Sequence, residues 1–204
     1  MRYSSLAAAA ACASLASGHT IFVQLEADGT THPVSQGVRT PSYDGPISDV
    51  SSNSLACNGP PNDQPKTTDA VLDVTAGSTV TALWRHALNS GFEDVMDRSP
   101  LGPTPAYLKK VEDAAGDLGS ATAGEVNIQE DGLDNGLWGM SKAVENARKH
   151  GIQIPDCLPD GQYMQCAQIN IFGGKATATP QTHGIPGIYE GSSPCLFGSP
   201  LEPQ

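Results

Sequence analysis

His19 stands directly behind Ala16, Ser17 and Gly18, small residues of the kind a signal peptidase cuts after. Cleavage after Gly18 would give His19 a free α-amine beside its imidazole. The reference pKa of an α-amine is only about 8, so its neutral, metal-binding form is accessible. Amine and Nδ1 of one residue form a chelate, and one further imidazole completes a T-shaped three-nitrogen site that suits copper in both oxidation states. Chance also places histidines after cleavage sites, so the rest of the chain must decide. His32, His86, His150 and His183 are the remaining histidines. His86 lies in "WRHAL", and the others fall in loops or at a helix end, where an ordinary polar residue is expected. Cys12 leaves with the leader, and Cys57, Cys157, Cys166 and Cys195 remain. An even number in a secreted chain implies two disulfides, with three pairings possible. Zinc is a poor rival, because no CxxC pair is present.

These side chains need a scaffold, and composition constrains it. "MRYSSLAAAAACASLASG" reads as a secretory signal peptide over residues 1–18, leaving 19–204 as a single domain with no separate carbohydrate-binding module. The leader is too short and alanine-rich to span a bilayer, and no later run approaches about 18 apolar residues. The expected product is secreted, extracellular and monomeric. A net charge of −11 argues against nucleic acid and anionic membranes as partners.

With 22 Gly and 16 Pro and almost no long helical periodicity, the chain reads as all-β, short strands joined by structured loops. Strands are expected in "TIFVQLEA", with Ile21, Val23 and Leu25 on one face, and on both sides of the Ala-Gly turn in "AVLDVTAGSTVTALWRHAL". "AYLKKVED" and "AQINIFGG" give two more. Two packed sheets would bury such faces. "SKAVENARKHG", residues 141–151, is the one short helix expected, with Ser141 as cap and Gly151 as stop. Residues 30–69 read as a long polar loop region of the kind that often forms binding surface. Trp84 and Trp138 read as core.

Several stretches then carry a resemblance: "GHTIFVQLEADG", "GVRTPSYDGPISDVSSNSLACNG", "LGPTPAYLKKVEDA", "QEDGLDNGLWG", "IPDCLPDGQY" and "YMQCAQINIFGG". In order and wording the chain resembles the fungal lytic polysaccharide monooxygenases of auxiliary-activity family 9. The resemblance implies an immunoglobulin-like or fibronectin-like β-sandwich displaying one copper ion on a flat face. It implies copper held by the N-terminal histidine, a second histidine and an axial tyrosine, and reduced by an external electron donor. The expected activity is oxidative cleavage of cellulose or another β-1,4-glucan at C1 or C4. No hydrolytic carboxylate pair is required, so the many Asp and Glu residues can remain solvated surface.

Carried over residue by residue, His19 matches the first ligand. The loop that bears the second reads "RSPLGPTPAYLKKV": Ser99, Gly102 and Pro103 match, but Pro100 occupies the histidine position. "GQYMQCAQI" joins two family motifs that are normally separated by a further strand, a second-sphere histidine and a glutamine. Tyr163 therefore matches two positions, the axial ligand and a core tyrosine of the preceding strand. The axial assignment follows from the continued match through "MQCAQINI". Gln165 and Gln168 do not align with the family glutamine. The resemblance pairs Cys57 with Cys166 and Cys157 with Cys195, and it leaves Tyr43 and Tyr189 as loop aromatics for stacking on sugar rings. Three readings follow: an active copper monooxygenase; a secreted protein of the same build that binds glucan or copper with little activity; or a coding sequence that lost an exon. Losing a strand would leave unpaired backbone edges or force a new register.

Overall fold

The structure is a computed structural model, and it describes residues 20–41, 44–47, 49–57, 68–91, 94, 102–117, 119, 123–147, 149–176 and 180–188. Two main sheets form the expected sandwich. Strands β1 (Ile21–Ala27), β2 (Thr30–Thr31), β3 (Leu72–Thr75), β4 (Thr79–Arg85), β5 (Thr104–Val111) and β6 (Ala123–Asp131) precede a small hairpin of β7 (Leu133–Asp134) and β8 (Leu137–Trp138). Helix α1 (Gly139–Glu145) leads into β9 (Lys149–Gln153), β10 (Gly161–Gln165), β11 (Ala167–Phe172) and β12 (His183–Gly184). One sheet has the order β2-β1-β4-β9, and the other β12-β6-β5-β10-β11-β3.

Alternation sets the inner faces. Leu25, Ala27 and Val80 of the first sheet meet Leu72, Val74, Leu108, Val126, Ile169 and Ile171 of the second in one apolar core. The Ala76-Gly77 corner is not a hairpin turn. Β3 pairs in parallel with β11, whereas β4 pairs with β1, so the corner carries the chain from one sheet to the other. Gly77 has φ +82, a conformation that favours glycine, and its N–H donates to the Ile154 carbonyl at 3.0 Å.

The short helix exists but lies earlier than the sequence suggests. It starts at Gly139, its N-cap Trp138 makes no side-chain cap bond, and Ser141 lies inside it. Residues 149–153 are strand, because pairing with β4 (Ala82 opposite His150, Val80 opposite Ile152) outweighs a helical pattern this short. The expected Gly151 stop is thus a strand residue, and His150 is an inward-facing strand residue only 8% exposed. Gly139 itself is required: a Cβ there would sit 2.2 Å from the Asp131 carbonyl oxygen.

The 30–69 region also departs from expectation where it is described. Val38, Thr40, Ser54 and Ala56 are buried, packed on the sheet instead of displayed. The buried Arg39 holds this layer in place. Its Nε donates to Gln168 Oε1 at 2.6 Å, and its Nη2 donates to the Ala114 and Ala115 carbonyls at 2.8 and 3.0 Å. Gln168 Nε2 in turn donates to the Thr68 and Ala70 carbonyls, both at 2.8 Å. Burial holds the Arg39 guanidinium below its ordinary pKa, against the raising effect of Asp117 and Asp113.

Candidate functional site

At the junction in "GQYMQCAQI" the chain makes its sharpest turn. Β10 and β11 pair antiparallel from Gly161 opposite Ile171 to Gln165 opposite Ala167, leaving Cys166 alone at the tip. Cys166 has φ +61, in the left-handed region a non-glycine residue seldom adopts, and it is bonded to Cys57. The expected Cys57–Cys166 disulfide is therefore present, tying the 49–57 segment to the hairpin tip. The tip is further fixed by Arg39 N–H donating to the Cys166 carbonyl at 2.8 Å.

The short hairpin leaves the second sheet notched. Β10 reaches β5 only at Lys109, Lys110 and Val111, so it stops short of the Thr104–Leu108 half of that strand, which pairs with β6. Beyond the tip a cleft of about 460 Å³ opens between the sheets, lined among others by Thr20, Phe22, Trp84, Tyr107, Gln165 and Cys166. Thr20 opens β1, and its hydroxyl donates to the Arg85 carbonyl at 3.3 Å. The cleft thus lies at the end of the sandwich where β1 begins.

His19 and Pro100 lie outside the described residues, as do Tyr43, Tyr189 and Cys195. Cys157 is exposed with a free thiol. Tyr163 is described, and it takes the place of a core tyrosine. It is 1% exposed, belongs to the central apolar cluster, and its hydroxyl donates to the Pro159 carbonyl at 2.7 Å. Pro159 follows Ile154, whose carbonyl meets the Gly77 turn before β4, whereas Thr20 bonds Arg85 at the far end of β4. At about 3.3 Å per residue the two ends of that strand lie roughly 20 Å apart. Burial, with a smaller contribution from Asp160, raises the Tyr163 pKa and disfavours a phenolate.

The donor set does not fit the complete copper centre that the sequence suggests. Pro100 supplies no side-chain donor atom. The Tyr163 oxygen points at a backbone carbonyl, away from the His19 end. Among the described residues no group of three or more His, Cys, Asp or Glu could hold a metal ion. His86 lies between Asp44 (3.8 Å) and Asp94 (3.2 Å), an ordinary polar role at the surface.

Two buried polar groups fall outside the expectations from sequence. The expected helix end at His150 is a strand position, for which alternation through His150, Ile152 and Ile154 is the signal. Glu125, on β6, is 2% exposed and its Oε2 has no hydrogen-bond partner among the described residues. Burial raises its pKa to about 7, with Lys109 opposing the shift and Asp117 adding to it. The "GEVNIQ" stretch around it had not been read as a strand.

Fold and site together define a two-sheet β-sandwich, stapled among the described residues by the Cys57–Cys166 disulfide, with a cleft at the end where β1 begins. The chain belongs to Auxiliary Activity family 9 (formerly GH61), whose model it matches over residues 19–164. That match ends inside β10, next to the junction described above. The chain is 55% identical to AA9 family lytic polysaccharide monooxygenase A of Neurospora crassa, over 92% of this chain and 65% of that protein, so it spans about two thirds of that relative's length. It is 47% identical to AA9 family lytic polysaccharide monooxygenase C of Thermothelomyces thermophilus, over 89% of this chain and 86% of that protein. Among solved structures it is similar to CvAA9A, with TM-score 0.73 and 21% identity over 86% of this chain and 88% of that one. It is also similar to a cellulose-active polysaccharide monooxygenase from M. thermophila, with TM-score 0.61 and 22% identity over 86% and 89% of the two chains. These structural likenesses carry the fold. The family is typically copper-dependent.

Proposed function

We propose that this chain is a secreted, glucan-directed member of its family in which the copper centre is reduced to the His19 chelate. It binds cellulose or a related β-1,4-glucan, or binds copper weakly, with little oxidative turnover. The observation that carries this reading is the donor set: Pro100 in place of the second histidine, with the Tyr163 hydroxyl committed to Pro159. Removing one imidazole from a three-nitrogen site lowers copper affinity, because imidazole is a principal donor there. Secretion is supported by the leader-like residues 1–18 and by the Cys57–Cys166 bridge, since disulfides persist in oxidising compartments.

The second reading, an active copper monooxygenase cleaving β-1,4-glucan at C1 or C4 with an external electron donor, is favoured by the 55% identity to a relative bearing that name. Copper titration of the processed chain, followed by product analysis on cellulose with ascorbate, separates the two. The reduced-centre reading expects weak copper binding and no oxidised oligosaccharides. Tight one-to-one binding with aldonic or C4-oxidised products would overturn it. The variant Pro100→His is expected to tighten copper binding by at least about tenfold if the loop still brings position 100 to His19.

A further inference from the structure

Beside the cleft lies a smaller, more enclosed cavity of about 170 Å³. Its walls come from three elements. Met140, Ala143 and Val144 stand at i, i+3 and i+4 on one face of α1, and Pro103 and Pro105 flank the start of β5. Trp84, its ring packed 5.5 Å from Phe22, closes the β4 side. Thr20, Trp84, Pro105 and His150 also line the larger cleft, so the cavity has a route to solvent.

Two polar groups in these walls have readable hydrogen bonding: Thr104, whose buried Oγ1 has no partner among the described residues, and His150. The Gln129 side chain that faces it is fixed by backbone: its Oε1 accepts from Gln153 N–H at 3.1 Å, and its Nε2 donates to the Gly151 carbonyl at 2.9 Å. The amide nitrogen therefore has to be the atom 3.2 Å from His150 Nε2, and it donates to that ring nitrogen. The imidazole proton then resides on Nδ1, for which the described residues provide no acceptor. Burial keeps the ring's pKa below its ordinary value, Asp131 opposing, so the group is a neutral donor at pH 7. An apolar cavity of about 150 Å³ in another protein is large enough to hold benzene. This one has similar volume, largely aromatic and aliphatic walls, the Thr104 hydroxyl and one unused N–H, that of His150.

We propose that this cavity binds a monocyclic phenol, its ring between Trp84 and the Met140–Val144 helix face and its oxygen accepting a hydrogen bond from His150 Nδ1. The proposed contacts involve no metal. Its test uses the full chain and p-cresol, followed by the Met140 methyl and Trp84 indole resonances. Saturable shifts of both are expected, with submillimolar affinity for a ligand of this size. Toluene, which lacks the oxygen, is expected to bind roughly fivefold more weakly. Ala143→Leu fills the cavity and should abolish the shifts without lowering the thermal midpoint. Should that variant fold poorly, Val144→Phe serves the same purpose. No shift in the wild-type chain at millimolar p-cresol, equal affinity for toluene, or undiminished binding in a folded cavity-filling variant would each overturn the proposal.

Discussion

Glu125 and Tyr163 show how far a single buried group can be argued. The Glu125 carboxyl, 2% exposed, titrates at about 7 instead of its ordinary 4.5, chiefly because burial penalises its charge. A raised native pKa means that the group's contribution to stability is fully present below about pH 4.5 and is lost as pH rises through about 7. Glu125→Gln is therefore expected to be more stable than the parent by about 1–2 kcal/mol at pH 8 and to show no gain at pH 4. Urea unfolding at the two pH values checks this, and an equal effect at both would sink it. Tyr163→Phe removes the bond to Pro159 from a packed site and should cost about 1 kcal/mol. Its copper affinity should be unchanged in a titration. A large loss of copper binding would instead assign the phenol to the metal.

The β10–β11 hairpin is the element within which the match to the family model ends. Its one-residue tip is held by Cys57–Cys166, a bridge that closes a sequence separation of 109 residues. On the chain-entropy account a loop of that length is worth about 4–5 kcal/mol. Cys57→Ser should lower unfolding stability by about 2–5 kcal/mol, measured in denaturant without reductant. A loss below 1 kcal/mol would mean that the hairpin is held mainly by its strand pairing. At the other sandwich junction, Gly139→Ala pushes a Cβ toward the Asp131 carbonyl, a contact of 2.2 Å that backbone must yield to relieve. A cost above about 2 kcal/mol is expected from thermal unfolding.

On the scale of the whole molecule, the sheet is paired unevenly. Β10 and β11 lie between strands on both sides, whereas the Thr104–Leu108 half of β5 faces the cleft where β10 stops. Native-state hydrogen exchange should therefore show Ile169 and Ile171 among the slowest amides, with Thr104 and Ala106 opening at lower free energy. Uniform protection along β5 would contradict this. Among the described residues an open half-strand of β5 thus borders the cleft, while the β10–β11 hairpin closes on itself.

How much of this was legible depends on the range of the forces involved. Strands β1, β3, β4, β5 and β11 could be read because period-two alternation is a local record of which face is buried. Pro100 is equally plain, since no fold can give proline an imidazole or any other side-chain metal donor. Β9 could not be read: "ARKHG" looks like a helix end until β4 offers it backbone partners, and those partners are some 70 residues away in sequence. Tyr163 was ambiguous for the same reason. Its spacing to Cys166 suits a ligand and its spacing to Gly161 suits the core, and only antiparallel pairing with β11 turns its hydroxyl toward Pro159. By itself the sequence determined the two-sheet class, the Cys57–Cys166 pair through its resemblance, and the presence of proline at position 100. Tertiary structure decided the cleft beyond Cys166, the burial of Glu125 and the inward turn of His150, because each depends on which distant backbone supplies the hydrogen bonds and excludes the water.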